Sequence, residues 1–226
     1  MLAAVRRLAT VFAHAMIVVF VFAPTIARAQ ATSAPSSTAD DATHVSKVEA
    51  TLARDASASK LWYFGWTAFY VGSTGVQLAV ALAADDAGLR ADARVGTVKS
   101  GLGLLGTVIL PPPAIFFSPC TESEKATPEA LAACRARQDE RLDDAAKAER
   151  FGRSFLAHFA AFAVNIGGGV YSWIVDDRRA PAIIGTLVGI GLGELQILTR
   201  PTIARDVQIG FAPRPGGGLL AAGLTF

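Results

Sequence analysis

Four side chains are best placed to do chemistry: Lys99, His158, Asn165 and Glu194. Each sits within a long apolar run, where an ionisable or strongly polar group is costly and is read as a functional site until a partner explains it. Lys99 and Glu194 are the expected pair, because opposite charges in one apolar bundle relieve each other's desolvation. Under four spans they differ in depth by about 10 Å or more, which argues against direct contact and calls for a tilt, a shifted run boundary or an intermediary such as Asn165. His158 and Asn165 are seven residues apart and share a helix face with Ser154 and Ser172. Tyr63, Tyr70, Thr74 and Gln77 make a second polar stripe in an earlier run. The chemistry such a set supports is the passage of protons or of a small solute. A simpler reading weighs more: Lys99 and Glu194 lie near the ends of their runs, where long side chains reach the interface, and His158 is a structural hydrogen bonder.

Other chemistry finds little support. No nucleophile and base are spaced for catalysis, and no GxSxG, HExxH, Walker A or paired CxxC pattern occurs, so the reading leans away from an enzyme. With three histidines in the chain, one of them near the N-terminus, no metal is expected. Gly101, Gly103 and Gly106 match GxGxxG, but that fingerprint needs a strand before it and a helix after it. Here Pro111-Pro112-Pro113 follows at once, so close helix packing is expected and no cofactor. The net charge of +2 and the lack of a basic stripe argue against nucleic acid.

The elements that must position these residues are apolar. Hydrophobic residues make up 52% of the 226 and charged residues 18%, below the quarter usual for soluble domains. The charges are clustered, which leaves four long runs: Leu61 to Ala84, Val95 to Phe117, Phe155 to Val175 and Ala182 to Leu198. Each approaches the ~20 residues that span a bilayer, and none alternates as a barrel strand does. Trp62, Tyr63, Trp66 and Trp173 stand at run ends, where a headgroup interface selects amphipathic rings. Gly185, Gly189 and Gly193 recur every fourth residue, a small-residue stripe that lets a neighbouring helix approach. Gly96, Ser100, Gly103 and Thr107 make a similar one.

The predicted fold is therefore an all-α membrane bundle of about four apolar, glycine-rich transmembrane helices. One charged extramembrane helix and a C-terminal β-hairpin accompany it. Residues 1–29 read as a signal peptide: Arg6-Arg7, an apolar stretch from Leu8 to Phe22, then Ala27-Arg28-Ala29. Residues 30–57 read as a polar tail, disordered to about Thr43, leading into a short helix. Residues 58–200 form the membrane domain, with an exported charged loop and helix at 121–153, where Thr127 and Pro128 signal a helix start. Residues 201–226 alternate about a glycine-rich turn as a hairpin. The terminal Phe226 resembles the end of an outer-membrane barrel protein over about 20 residues, but two strands cannot close a barrel.

Export of residue 30 and four spans put the 121–153 loop outside the inner membrane. Cys120 and Cys134 then share an oxidising compartment and are expected to form a disulfide. The positive-inside rule disagrees, because that loop carries Lys125, Arg135, Arg137, Arg141, Lys147, Arg150 and Arg153. Either the Pro111–Pro113 run does not span or the protein sits in another membrane, the outer one included; four spans in the inner membrane are the preferred reading. The expected function is a non-enzymatic structural or scaffolding role in a bacterial cell envelope, with a small transporter or proton conductor as the alternative. Expected partners are membrane lipid and either a second copy or another envelope protein.

The leader makes one testable statement. The mature chain begins at Gln30, and mass spectrometry of membrane-extracted protein should find that N-terminus; an intact Met1 start refutes the cleavage site.

Overall fold

The computed structural model describes residues 38–203, 207–214 and 217–224. The signal peptide expected at 1–29 and the tail from 30 to 37 lie outside the described residues. The first helix, α1, runs from Thr38 to Ala83, so the segment from Thr38 to Thr43 is helical rather than tail, and the short helix expected at Val45 is continuous with the first apolar run. No Pro or Gly interrupts the chain between Thr38 and Lys60, and Asp40 and Asp41 sit in the first turn, where the helix dipole favours them. After a tight turn comes α2, Ala87–Ile109, whose N-cap Asp86 accepts from the Leu89 amide at 2.6 Å. The second run was expected to continue to Phe117. It stops at Ile109 because Pro111–Pro113 supply no amide donors and force the preceding residue out of helical geometry. A 3₁₀ turn at Pro113–Phe116 and a single helical turn, α3, Glu122–Lys125, follow.

The charged helix α4 spans Pro128–Gly152, with the Thr127 side chain capping the Ala130 amide and Pro128 in the first turn. Rather than running on into the next helix, it breaks at Arg153 and Ser154, where Ser154 is extended. The last two helices are α5, Phe155–Val175, and α6, Arg179–Leu198. Beyond Ile203 the described backbone is β1, Val207–Arg214, antiparallel to β2, Gly217–Leu224, in register from Val207↔Leu224 to Arg214↔Gly217.

The helical architecture is a bundle with a stalk. The N-terminal half of α1 packs against α4 and the 3₁₀ turn; its C-terminal half forms a hairpin with α2; α5 and α6 form a second hairpin that meets α2. The stalk has a water-facing design. Val45, Val48, Leu52 and Ala56 of α1 are buried against Leu131, Cys134 and Ala145 of α4, with Cys120, Phe117 and Ile203 at the edges. Burying a Val or Leu side chain contributes about 1.5–3 kcal/mol, so these few contacts outweigh the rim ion pairs. The rim pairs are Asp41 with Arg135, His44 with Asp139 at 2.7 Å and Glu49 with Lys125 at 2.9 Å. Cys120 and Cys134 are joined as a disulfide, with Cα atoms 6.2 Å apart.

The bundle has the opposite design. Its solvent-accessible faces are apolar: Leu61, Phe64, Val71, Leu78 and Leu82 on α1, Val98, Leu105 and Ile109 on α2, Phe155, Phe159 and Ile166 on α5, and Ile184, Leu187 and Leu198 on α6. Its buried positions are small or polar apart from Trp62: Tyr70, Ala81, Ala93, Ser100, Thr107, Asn165, Gly169, Ser172 and Ala182. Four spanning helices were expected, yet two helices are long and apolar enough to cross a membrane, Phe155–Val175 and Arg179–Leu198. The inner half of α1 and α2 fall short because polar residues dilute them: Trp66, Ser73, Thr74 and Gln77 in one, Arg94, Lys99, Ser100 and Thr107 in the other.

The disulfide closes the chain between the end of the 3₁₀ turn and α4, over a separation of 14 residues. Replacing both cysteines by serine should destabilise the stalk by about 3 kcal/mol in the chain-entropy account, read from denaturant unfolding. In whole cells a membrane-impermeant thiol reagent should label the pair only after reduction. Labelling confined to lysed, unreduced cells would place the stalk in the cytoplasm.

Candidate functional site

The polar residues of the bundle lie along one seam between the two hairpins. Lys99 is the thirteenth of the 23 residues of α2, midway along rather than near an end, because α2 begins eight residues before the apolar run does. Its ammonium donates to the Gly185 carbonyl of α6 at 2.7 Å. To reach it the stem crosses α5 and α6 where they lack side chains. A Cβ on Gly168 would lie 2.8 Å from Lys99 Cδ, and one on Gly189 would lie 2.9 Å from Lys99 Nζ and collide with Asn165 Oδ1. Asn165 is buried; its amide donates to Ala161 O at 2.8 Å, and its backbone carbonyl accepts from Thr186 Oγ1 at 3.3 Å.

Lys99 and Glu194 do not meet. Gly185, the acceptor of Lys99, is nine residues before Glu194 on α6, about 13 Å along the axis at 1.5 Å per residue. Glu194 instead pairs with His158, Oε2 to Nδ1, at 2.8 Å across α5 and α6. Its other oxygen is buried without a hydrogen-bond partner among the described residues. The seam thus brings Lys99 to Asn165 at mid-bundle and His158 to Glu194 nearer the stalk.

Between that pair and the stalk lies a cluster that the sequence reading missed, centred on Gln196. Its side chain accepts from Tyr70 Oη and donates to Thr107 Oγ1, both at 2.9 Å, and its carbonyl accepts from Trp62 Nε1 at 3.1 Å. Three helices are tied by one amide. A glutamine in an apolar run was the available signal. The α1–α2 hairpin is built on matched pairs: Tyr70 over Gly103, Thr74 Oγ1 donating to Ser100 Oγ at 2.9 Å, and Gln77 against Gly96. Gly101 and Gly106 face open space, and no strand precedes this helix among the described residues. GxGxxG here is therefore a helix segment of which Gly103 packs. Tyr63 takes no part in the seam; its ring meets Phe64.

The stripe on α6 is split. Gly189 faces Asn165 and Lys99, and a Cβ on Gly193 would sit 3.0 Å from Ala161 Cβ, so both are contacts. Gly185, expected as a third packing position, faces open space and contributes its carbonyl instead. A repeat of four drifts around a helix of 3.6 residues per turn, which carries Gly185 off the contact line.

At the stalk base sit Asp55 of α1, Glu149 of α4 and Arg200 after α6, lining a cleft with Pro112, Pro113, Ala145 and Ile203. Asp55 and Glu149 are 8% and 7% exposed, unusual for carboxylates. Burial pushes Asp55 up from its ordinary value and Arg200 down. At the opposite end Asp92 binds Arg178 at 2.6 Å, joining the starts of α2 and α6, and Arg90 donates to the Ala84 and Asp85 carbonyls at the end of α1. Glu49, Cys120 and Cys134 bring three possible metal donors together, but sulfurs joined to each other are not thiolate ligands. Comparison with known protein families, curated proteins and solved structures finds no match.

The glycine geometry separates two substitutions. Gly189→Leu should drive α5 and α6 apart and lower the thermal midpoint in detergent by several degrees, whereas Gly185→Leu, facing open space, should leave it nearly unchanged. Equal midpoints for both variants would contradict the contact assignment.

Proposed function

We propose that the chain is a polytopic membrane protein of the cell envelope whose role is structural. The bundle anchors a disulfide-closed stalk on the exported side, where it serves as a scaffold for lipid and for envelope partners. The observation that carries this reading is the reversal of polarity along α1. One continuous face is turned inward throughout, buried in the stalk and buried or half-buried beyond it. In the stalk that face is Val45, Val48, Leu52 and Ala56, with Lys47, Arg54 and Lys60 outward; from Leu61 it is Trp62, Trp66, Tyr70, Thr74 and Gln77, with Phe64, Val71, Leu78 and Leu82 outward. A helix in water keeps its apolar side inward along its whole length. A reversal at Lys60–Leu61 fits a helix that passes from water into hydrocarbon.

The same reversal between α4 and α5 supports the same plane. From that plane inward, all four helices are 20 to 23 residues long, near the 30 Å of a hydrocarbon core. Trp62 and Trp66 lie at one boundary. Trp173, under Arg179 at 5.8 Å, lies at the other. On this reading four helices span, two of them made polar inside by the seam. Of the seven stalk cations that weigh against its export, Lys125, Arg135, Arg137 and Lys147 each meet a carboxylate, while the positive-inside rule itself counts Lys and Arg whatever their partners.

The polar seam favours scaffolding over conduction, because its groups bond neighbouring helices to each other. The second reading, proton transfer, draws on Lys99, an amine at mid-bundle whose bonded partner is a carbonyl rather than a carboxylate. Reconstitution distinguishes the two. Protein in liposomes carrying an internal pH dye should pass protons no faster than protein-free vesicles under an imposed potential, and Lys99→Met should change nothing. A flux that Lys99→Met or Glu194→Gln abolishes would replace the scaffold with a conductor.

A further inference from the structure

The segment Thr199–Ile203, which leaves α6 and leads toward β1, is strapped onto the stalk base by charged groups from two other elements. From α4, Glu149 Oε2 accepts from the Ile203 amide at 3.0 Å. From the break after α4, Arg153 donates to the carbonyls of Leu198 at 3.3 Å and Arg200 at 2.6 Å. Arg200 folds under the Trp62 ring, 5.3 Å from its centroid, and fills the space where a Cβ on Gly152 would stand. Asp55 of α1 faces this group from the opposite wall. Its one hydrogen bond comes from Ser59 Oγ at 3.3 Å, and no ion pair joins it to Arg200 among the described residues. The 3₁₀ turn offers only Pro112, Pro113 and Ala114.

Two acidic and two basic groups therefore close on one another, and one of the acids has little to hold its charge. A carboxylate more than nine-tenths buried, with a single long hydroxyl bond, loses hydration that nothing fully replaces. We propose that Asp55, Glu149 and Arg200 form an acid-tightened clasp: protonation of Asp55 strengthens the hold of the stalk base on the strap, and its ionisation loosens it. The proposal is independent of whether the bundle conducts, and needs only that the stalk faces water.

The sign follows from proton affinity. Burial raises Asp55 above its ordinary value of 3.8; Ser59 opposes this, the charge of Glu149 adds to it, and Arg200 opposes it again. Opening lets water reach Asp55 and also withdraws the charge of Arg200; dehydration is the larger of these two opposed effects, so the closed clasp binds the proton more readily than the open one. Its contribution is fully present below the solvated value and is lost as pH rises through the raised one. A direct Asp55–Arg200 salt bridge would give the opposite sign, with the strap released by acid.

Hydrogen exchange of the Thr199–Ile203 peptide tests the clasp, using the full-length mature protein in lipid nanodiscs at several pH values and corrected for intrinsic exchange rates. Exchange should slow several-fold on acidification, about tenfold where closure raises the proton affinity of Asp55 by a factor of ten. Asp55→Asn, which imitates the protonated acid, should give slow exchange at neutral pH and abolish the pH dependence. Ser59→Ala removes the one hydroxyl that favours the ionised form, so it should move the transition to higher pH; this variant serves if Asp55→Asn does not fold. Faster exchange in Asp55→Asn, a pH dependence that survives it, or a transition moved to lower pH in Ser59→Ala would each overturn the proposal.

Discussion

On the proposed membrane reading, the structure depends on a change of surroundings partway along α1. Up to Lys60 the helix is arranged for water, and from Leu61 it is arranged for hydrocarbon, while its backbone runs on unbroken. The buried face stays the same, so the contents of that face must change. In the stalk, burial of Val45 and Leu52 is driven by the hydrophobic effect and needs no direction. In a bilayer the surroundings of the bundle would be as apolar as any leucine, so that driving force would be gone, and close packing and directed hydrogen bonds would hold the helices together. Trp62, Tyr70, Thr74 and Gln77 occupy the inner part of the face for that reason.

Small residues and polar residues are consequently placed as pairs. Several polar side chains that cross to another helix do so over a glycine: Gly103 under Tyr70, Gly96 against Gln77, Gly168 and Gly189 around Lys99 and Asn165, Gly169 against Thr186. An interhelical hydrogen bond in a bilayer contributes only about 0.6 kcal/mol on average, so no single bond holds the bundle. The bonds act by fixing register. Gln196, joined to α1 through Trp62 and Tyr70 and to α2 through Thr107, allows one axial alignment of the hairpins.

How much of this was legible in the sequence varies with the kind of signal. Apolar run length gave the α5 and α6 spans closely, because there the solvent alone sets composition. Thr127 and Pro128 gave the start of α4 because capping is local. Cys120 and Cys134 could pair with nothing else. The depth mismatch between Lys99 and Glu194 was legible, but their partners, the Gly185 carbonyl and His158, were not, since charge complementarity selects residue types and not positions. Depth depends on where helices begin, and α2 begins in the charged Ala87–Arg94 stretch that hydropathy excludes. The stalk-base cluster was hidden for a different reason. Asp55 and Glu149 lie in segments rich in ordinary surface charges, and only the spacing Val45, Val48, Leu52, Asp55, Ser59, Trp62 marks Asp55 as belonging to the buried face.

The two long elements cross the polarity boundary differently, which limits how the stalk can move. The α1 helix crosses it without a break, so the stalk and the first hairpin share one rigid axis. The other crossing, from α4 to α5, is broken at Arg153–Ser154 and could hinge. At that point Arg153 binds the end of α6 and Glu149 binds the strap that follows. Ser154 Oγ stands buried with no partner in the described structure, which makes the break a poor place to rest without those ties. Rotation of α4 against α5 must therefore pull on α6 and its strap. The stalk's second arm and the end of the last helix form one joint, and any force on that arm reaches the bundle through the charged residues at its base.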